Sequence, residues 1–194
     1  MIQTSSLAPL LKSAFDPYFN APLATWIAFA DNCEHVKFKK EEVIKPQNTV
    51  ERYFYFIIEG SAGIFLWKEH NFVCLDFAFD RQFCSDYMSL LTQQTSPLQV
   101  VALENSEMLR MPVAQYNRIT QESMGQVLRL VAAESSFLSK QQQQIELLTK
   151  SANERYEILL QQFPGIHNRI SQHHLASYLG ITPQSLSRIR RAHR

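Results

Sequence analysis

Apolar and polar residues mostly alternate from about residue 36 to residue 111. A period of two is typical of half-buried β-strands. Residues 53–67 form two apolar, aromatic-rich runs around Glu59-Gly60-Ser61. We interpret them as a hairpin, because Gly60 can adopt the positive φ that a tight turn needs. Further alternating positions are Val73, Leu75, Phe77 and Phe79, then Val101 and Leu103, and then Leu109 and Met111 after the turn-like Glu104-Asn105-Ser106. Many short strands without intervening helices predict an antiparallel β-barrel or jelly roll.

The hydrophobic period changes after Pro112, where one long helix is predicted over residues 113–150. Met124, Val131, Leu138 and Ile145 recur every seven residues, which predicts one apolar face at heptad spacing. The intervening seam positions are polar. Two interpretations therefore stay open: the face is a dimer interface, or the helix packs on its own barrel.

A new helix is predicted from Ser151, because Ser151 and Glu154 have the spacing of a capping box. Beyond it, the apolar positions of QHHLASYLGITPQSLSRIRR predict two short helices, over about residues 172–179 and 183–191. Gly180 lies at the turn between them, where a left-handed backbone costs little without a Cβ. Thr182 and Pro183 suit the start of the second helix. Together these features predict a helix-turn-helix, the alternative being a helical hairpin that contacts protein.

A recognition helix places its N-terminal residues in the major groove, where Gln can pair with adenine and Arg with guanine. The residues expected to face base edges are Gln184, Ser185, Ser187 and Arg188. The residues expected to contact phosphates are Arg169, Ser171, Thr182, Arg190, Arg191 and Arg194.

Charge supports this assignment. Residues 158–194 contain five arginines and no Asp or Glu, which gives +5, whereas the remaining 14 bases and 18 acids give −4. A basic end on a nearly neutral chain is typical of a segment that meets a polyanion. The N-terminus lacks a basic patch before a continuous apolar run, and no run is long enough to span a membrane, so a cytoplasmic location is expected.

The order of barrel, long helix and helix-turn-helix resembles the Crp-Fnr superfamily of transcription regulators. The segments that carry this resemblance are FYFIIEGSAGIF (54–65), QFCSDYMSLL (82–91), ALENSEMLRMP (102–112) and ASYLGITPQSLSRIRR (176–191). It implies an α+β chain: a cyclic-nucleotide-binding-like sensor barrel with N-terminal helices (1–112), a dimerisation helix (113–150) and a winged-helix-like DNA-binding domain (151–194). The wing is expected to be absent or truncated. Implied partners are duplex DNA, a second copy of the chain and RNA polymerase.

The resemblance also locates a sensor pocket, for which the candidate residues are Phe83, Cys84, Ser85, Asp86, Ser135 and Ser139. Ser85-Asp86 stand where cyclic-nucleotide-binding relatives have Gly-Glu, and no Lys or Arg occurs from Gln82 to Leu109. A buried phosphate without a cation would be costly, so cyclic AMP is not expected in the usual mode. The effector is an unknown small molecule or none, and the alternative role for Ser85 and Asp86 is to cap a helix.

The sequence leaves two alternative functions open. A cupin-like metal enzyme would need a facial set of ligands, which the isolated His35 and His70 do not supply, and Cys33, Cys74 and Cys84 lack metal-binding spacing. No catalytic residue, metal site or cofactor is therefore predicted. The second alternative is a ligand-binding adaptor that does not bind DNA.

Overall fold

The computed structural model describes residues 3–68 and 71–193 and confirms the predicted α+β class. The strands are β1 (Glu34–Phe38), β2 (Val43–Lys45), β3 (Tyr53–Glu59), β4 (Ala62–Lys68), β5 (Asn71–Ala78), β6 (Phe83–Cys84), β7 (Leu98–Ala102) and β8 (Ser106–Pro112). The helices are α1 (Ala8–Phe15), α2 (Leu23–Asp31), α3 (Tyr87–Thr92), α4 (Val113–Ile119), α5 (Ser123–Thr149), α6 (Ala152–Gln162), α7 (Ile166–Arg169), α8 (Gln172–Tyr178) and α9 (Pro183–Ala192). A 3₁₀ turn at Thr4–Leu7 precedes α1.

The eight strands form two antiparallel sheets that face each other, as the predicted jelly roll requires. One sheet has the order β1-β8-β3-β6 and the other β2-β7-β4-β5. Side chains from both sheets fill the space between them, among them Tyr55, Ile57, Val100 and Met108. Their neighbours in sequence point outward, so each sheet also has an apolar outer face that must be covered.

The hairpin predicted over residues 53–67 is wrong in its pairing. β3 pairs with β6 and β8, whereas β4 pairs with β5 and β7, so the two runs lie in different sheets. Gly60 has φ of +110°, and a Cβ there would lie 2.2 Å from Ser106 Oγ. The tight turn at Gly60 therefore moves the chain from one sheet to the other. Alternation of apolar residues is the same in both arrangements and cannot distinguish them.

Helices cover both outer faces. On the first sheet, Phe56 and Met111 pack in one cluster with Leu11 of α1, Trp26 of α2 and Leu128 of α5. On the second sheet, Phe65, Phe77 and Phe79 cluster with the C-terminal helices through residues such as Leu159 and Leu175. The C-terminal helices thus lie directly against the sandwich.

The single helix predicted over 113–150 is wrong at residues 120–122, where the chain leaves the helical conformation between α4 and α5. The first turn of α5 returns against the end of α4. A Cβ at Gly125 would lie 1.9 Å from the Ile119 carbonyl oxygen, so only glycine allows this close approach. Residues 120–122 contain no Gly or Pro, so the sequence at the break does not indicate that the helix ends there.

The predicted heptad face does not stay on one side of α5. Met124 and Val131 pack against the core, whereas Leu138 and Ile145 are 67% and 51% exposed. A heptad repeat drifts by about 20° per seven residues on a straight helix, which turns the series gradually away from the barrel. The beginning of the face therefore packs on the chain's own sandwich, whereas its end faces solvent, and a dimer interface there stays a prediction.

The helix predicted from Ser151 is confirmed. Ser151 Oγ accepts the backbone N–H of Glu154, and the Glu154 carboxylate accepts the backbone N–H of Ser151 at 2.8 Å. Within the described residues, no helix has the length and apolarity needed to cross a bilayer.

Candidate nucleic-acid interface and sensor pocket

α8 and α9 form the predicted helix-turn-helix. Leu175, Ala176 and Leu186 are buried between the helices, and the backbone N–H of Ile181 donates to the Ala176 carbonyl at 2.9 Å. Gly180 has φ of +67°, as the turn requires. The small side chain at Ala176 allows the close contact between the two helices.

Side-chain caps fix the start of both helices. Ser171 Oγ accepts the backbone N–H of His174 at 3.2 Å, and Thr182 Oγ1 accepts that of Ser185 at 3.1 Å. Thr182 Oγ1 also lies 3.0 Å from Ser185 Oγ. The hydroxyls of Thr182 and Ser185 thus stabilise the first turn of α9, so a base contact by Ser185 would compete with its cap.

The outward face of α9 carries Gln184, Arg188 and Arg191, all exposed, with half-buried Ser187 beside them. At 100° per residue these four positions lie within one side of the helix, opposite Leu186. An Arg191 guanidinium N–H donates to Ser187 Oγ at 3.4 Å. Half-buried Arg190 lies at the edge of this face, and Arg194 lies outside the described residues.

Arg169 is placed differently from the other predicted phosphate contacts. It ends α7 and points to the sandwich, where it pairs with Asp80 at 2.6 Å and with Glu104 at 2.8 Å. A phosphate contact by Arg169 stays a prediction, and it would require these ion pairs to open.

The six predicted pocket residues all line one cleft of about 1320 Å³ between the sandwich, α5 and the C-terminal helices. Phe83, Cys84, Ser85 and Asp86 lie on the sandwich side, and Ser135 and Ser139 lie on α5. The structure thus brings together residues about 50 positions apart in sequence. Their role as an effector site stays a prediction.

Sequence reasoning missed the cation of this region. Lys45 comes from β2, and only 3% of its side chain is exposed. Its ammonium group donates to Asp86 Oδ2 at 2.7 Å, to Ser96 Oγ at 3.3 Å and to the Leu98 carbonyl at 2.9 Å. Its three N–H donors are therefore used within the protein. Nothing near Lys45 in the sequence indicates that it belongs to this region, because only the pairing of β2 with β7 brings it there.

The polar side chains of Asp86 and Ser85 also form hydrogen bonds within the protein. Asp86 Oδ1 accepts the backbone N–H of Ser89 at 3.1 Å and caps α3, the alternative role considered from the sequence. Ser85 Oγ accepts the backbone N–H of Tyr55 at 3.1 Å. The Lys45–Asp86 ion pair and the Ser85 hydroxyl thus already have partners within the protein.

Glu51 completes this buried network. Its carboxylate accepts the backbone N–H groups of Arg52, Tyr53 and Asp86. Burial raises the pKa of Glu51 despite these hydrogen bonds, and the nearby Asp86 charge raises it further. The described residues contain no group of three His, Cys, Asp or Glu side chains that could hold a metal ion.

The chain is similar to known proteins in sequence and in fold. Residues 35–123 match the family model of the cyclic nucleotide-binding domain. The c-di-GMP-responsive global regulator CLP of Xanthomonas campestris superposes with a TM-score of 0.69 at 14% identity, covering 88% of this chain and 91% of CLP. FixK2 of Bradyrhizobium japonicum gives 0.69 at 16% identity, covering 82% of this chain and 83% of FixK2.

The catabolite activator protein of Thermus thermophilus superposes with a TM-score of 0.57 at 21% identity, covering 92% of this chain and 85% of that protein. The chain therefore shares the fold of these three proteins. No curated protein sequence matches the chain.

Proposed function

We propose that the chain is a sequence-specific, DNA-binding transcription regulator of the Crp-Fnr type. The observation that carries the proposal is α9: it is capped at its N-terminus and presents Gln184, Ser187, Arg188 and Arg191 on one outward face. Gln and Arg are side chains that can recognise adenine and guanine by two hydrogen bonds. The excess of positive charge after residue 157 supports attraction to phosphates.

The test is binding of the purified chain to a pool of genomic DNA fragments at low and high salt. Arg188→Ala is expected to weaken binding to the selected fragments by about tenfold or more, the cost of one bidentate base contact. Arg52→Ala, which removes an exposed arginine of the sandwich, is the matched control and should leave binding unchanged. A wild-type chain that retains no fragment at low salt would instead favour a ligand-binding adaptor.

We also propose that the chain acts as a homodimer through α5. Val127, Leu130, Phe137, Leu138, Ile145 and Leu148 are exposed by 38% to 77%. At 100° per residue, they form a stripe about 100° wide on one side of α5. The α5 residues that line the cleft, such as Ser135 and Ser139, lie on the other side of the helix. A second α5 could therefore cover the stripe without filling the cleft.

Sedimentation at micromolar concentration tests this dimer. Leu138→Asp should convert the dimer to a folded monomer, because a charge would be buried in the interface but exposed in the monomer. Ser136→Asp adds the same charge on nearly the opposite side of α5 and should leave the dimer intact. A wild-type monomer, or a Leu138→Asp dimer, would contradict the proposal.

A further inference from the structure

Arg169 joins the C-terminal helices to three different turns of the sandwich. Its Nη1 donates to Asp80 in the β5–β6 turn at 2.6 Å, and its Nη2 donates to Glu104 in the β7–β8 turn at 2.8 Å. Nη2 also donates to the Gly60 carbonyl in the β3–β4 turn at 2.9 Å, and Nε donates to Glu104 at 3.1 Å. The guanidinium carbon lies 5.0 Å from the centre of the Phe79 ring. We call these contacts the Arg169 clasp.

The sandwich holds both carboxylates in place for this clasp. Asp80 Oδ1 accepts the backbone N–H of Gly60 at 2.8 Å, and Glu104 Oε2 accepts the Ser61 hydroxyl at 2.6 Å. Two oriented acids match the planar fork of an arginine better than a flexible surface pair would. Burial alone would raise the pKa of Asp80, but the Arg169 and Gly60 hydrogen bonds lower it overall.

The clasp lies beside a broader contact between the sandwich and the helix-turn-helix. The backbone N–H of Cys74 in β5 donates to Ser177 Oγ in α8 at 2.8 Å. The Phe77 and Tyr178 rings are 5.0 Å apart between centres. One side of α8 is therefore held on β5, and Arg169 fixes the chain just before α8 begins.

This closed arrangement places acidic groups close to a predicted phosphate site. Arg169 lies two residues before Ser171, the N-cap of α8. The first helix of a helix-turn-helix crosses the DNA backbone, so the start of α8 is expected to lie close to phosphates in a complex. Asp80 and Glu104 would repel a phosphate that approached there.

We propose that the Arg169 clasp is an autoinhibitory contact, which holds the helix-turn-helix against the sandwich in the DNA-free chain and opens when DNA binds. This inference rests on the proposed DNA-binding function. The sequence alone predicts only a phosphate contact for Arg169. The proposed clasp differs because it gives Arg169 a role in the DNA-free protein, as the partner of Asp80 and Glu104.

Hydrogen exchange of the DNA-free chain tests the clasp independently of DNA binding. Arg169→Gln, and separately the double variant Asp80→Asn/Glu104→Gln, should both speed amide exchange in peptides from β5 and α8 by about three- to tenfold. The Cys74 amide bonded to Ser177 reports directly on this opening. Arg52→Gln is the control for charge removal and should change neither peptide. Unchanged exchange in either clasp variant would overturn the proposal.

DNA affinity then tests the inhibition. Asp80→Asn/Glu104→Gln should bind selected fragments about three- to tenfold more tightly than wild type. If the acids act through the clasp, the same pair of substitutions should give little further gain in an Arg169→Gln background. An equal gain in both backgrounds would show that the acids act only by repelling DNA, and would overturn the clasp as the inhibitory contact. If no variant binds DNA, the proposed function fails, while the exchange result still decides whether the clasp holds the interface.

Discussion

Replacing Lys45 with methionine tests the buried ion pair that occupies the candidate sensor pocket. Methionine is similar in length to lysine and can fill its volume, so the main change is the loss of charge and donors. Asp86 would then keep its negative charge with its side chain fully buried. Ser96 Oγ and the Leu98 carbonyl would also lose a donor.

The magnitude follows from how little solvent reaches the pair. The Lys45 and Asp86 side chains are 3% and 0% exposed, so water cannot replace the missing partner. Removing one member of a buried ion pair typically costs about 3–5 kcal/mol of the free energy of unfolding. For a chain of this length, that corresponds to a decrease in Tm of roughly 6–20 °C.

Urea unfolding followed by tryptophan fluorescence measures this decrease in the free energy of unfolding of the sandwich. Both tryptophans, Trp26 and Trp67, belong to α2 and β4, so their emission follows the sandwich and its covering helices. Lys37→Met is the matched control. It makes the same substitution in β1, where the Lys37 side chain is 67% exposed, and it should have a much smaller effect.

A double variant separates the charge from the packing. Lys45→Met/Asp86→Asn removes both charges, and the side-chain oxygen of the introduced asparagine can still accept the Ser89 N–H that caps α3. It should recover about half of the stability lost in Lys45→Met. A Lys45→Met variant as stable as Lys37→Met, or a double variant no more stable than the single one, would refute the reasoning.

Gly125, the three cysteines and the Lys45 pocket can each be tested separately. Gly125→Ala should lower the free energy of unfolding by about 1–3 kcal/mol despite the better helix propensity of alanine, because the new Cβ would meet the Ile119 carbonyl. Ser136→Ala, at an exposed position of the same helix, should not lower it. At pH 8 the native chain should react slowly with iodoacetamide, and rapid modification before unfolding would contradict this. Burial raises the pKa of Cys33 to about 12 and raises those of Cys74 and Cys84 as well. Cyclic AMP should leave the Tm unchanged, because all three Lys45 donors already bond to acceptors within the protein. An increase of several degrees would show that the chain binds cyclic AMP and would contradict this expectation.

The sequence predicts the local elements of the C-terminal helices well. Ser151, Gly180, Thr182 and Pro183 each act within a few residues of their own position, through a cap, a turn or a first helical turn. Such signals need no knowledge of the rest of the chain. The ends of α8 and α9 accordingly fall within one residue of the expected positions.

Features that depend on distant contacts could not be predicted in the same way. The two strands around Gly60 alternate as a hairpin does, and only the pairing of each with other strands separates them. Lys45 and Asp86 are 41 residues apart and meet only because the fold brings β2 beside the start of α3. In the sequence, Arg169 lies in a basic segment and is therefore predicted to face DNA. Only the folded chain brings Asp80 and Glu104 beside it.

The central claim is that α9 reads DNA, and selection of genomic fragments by the purified chain tests it most directly. We expect enrichment of near-palindromic fragments whose half-sites lie about one helical turn apart, with affinity that falls steeply as salt increases. Arg188→Ala should lose this enrichment while keeping the wild-type Tm. Failure of the folded wild-type chain to retain any fragment at low salt would contradict the account.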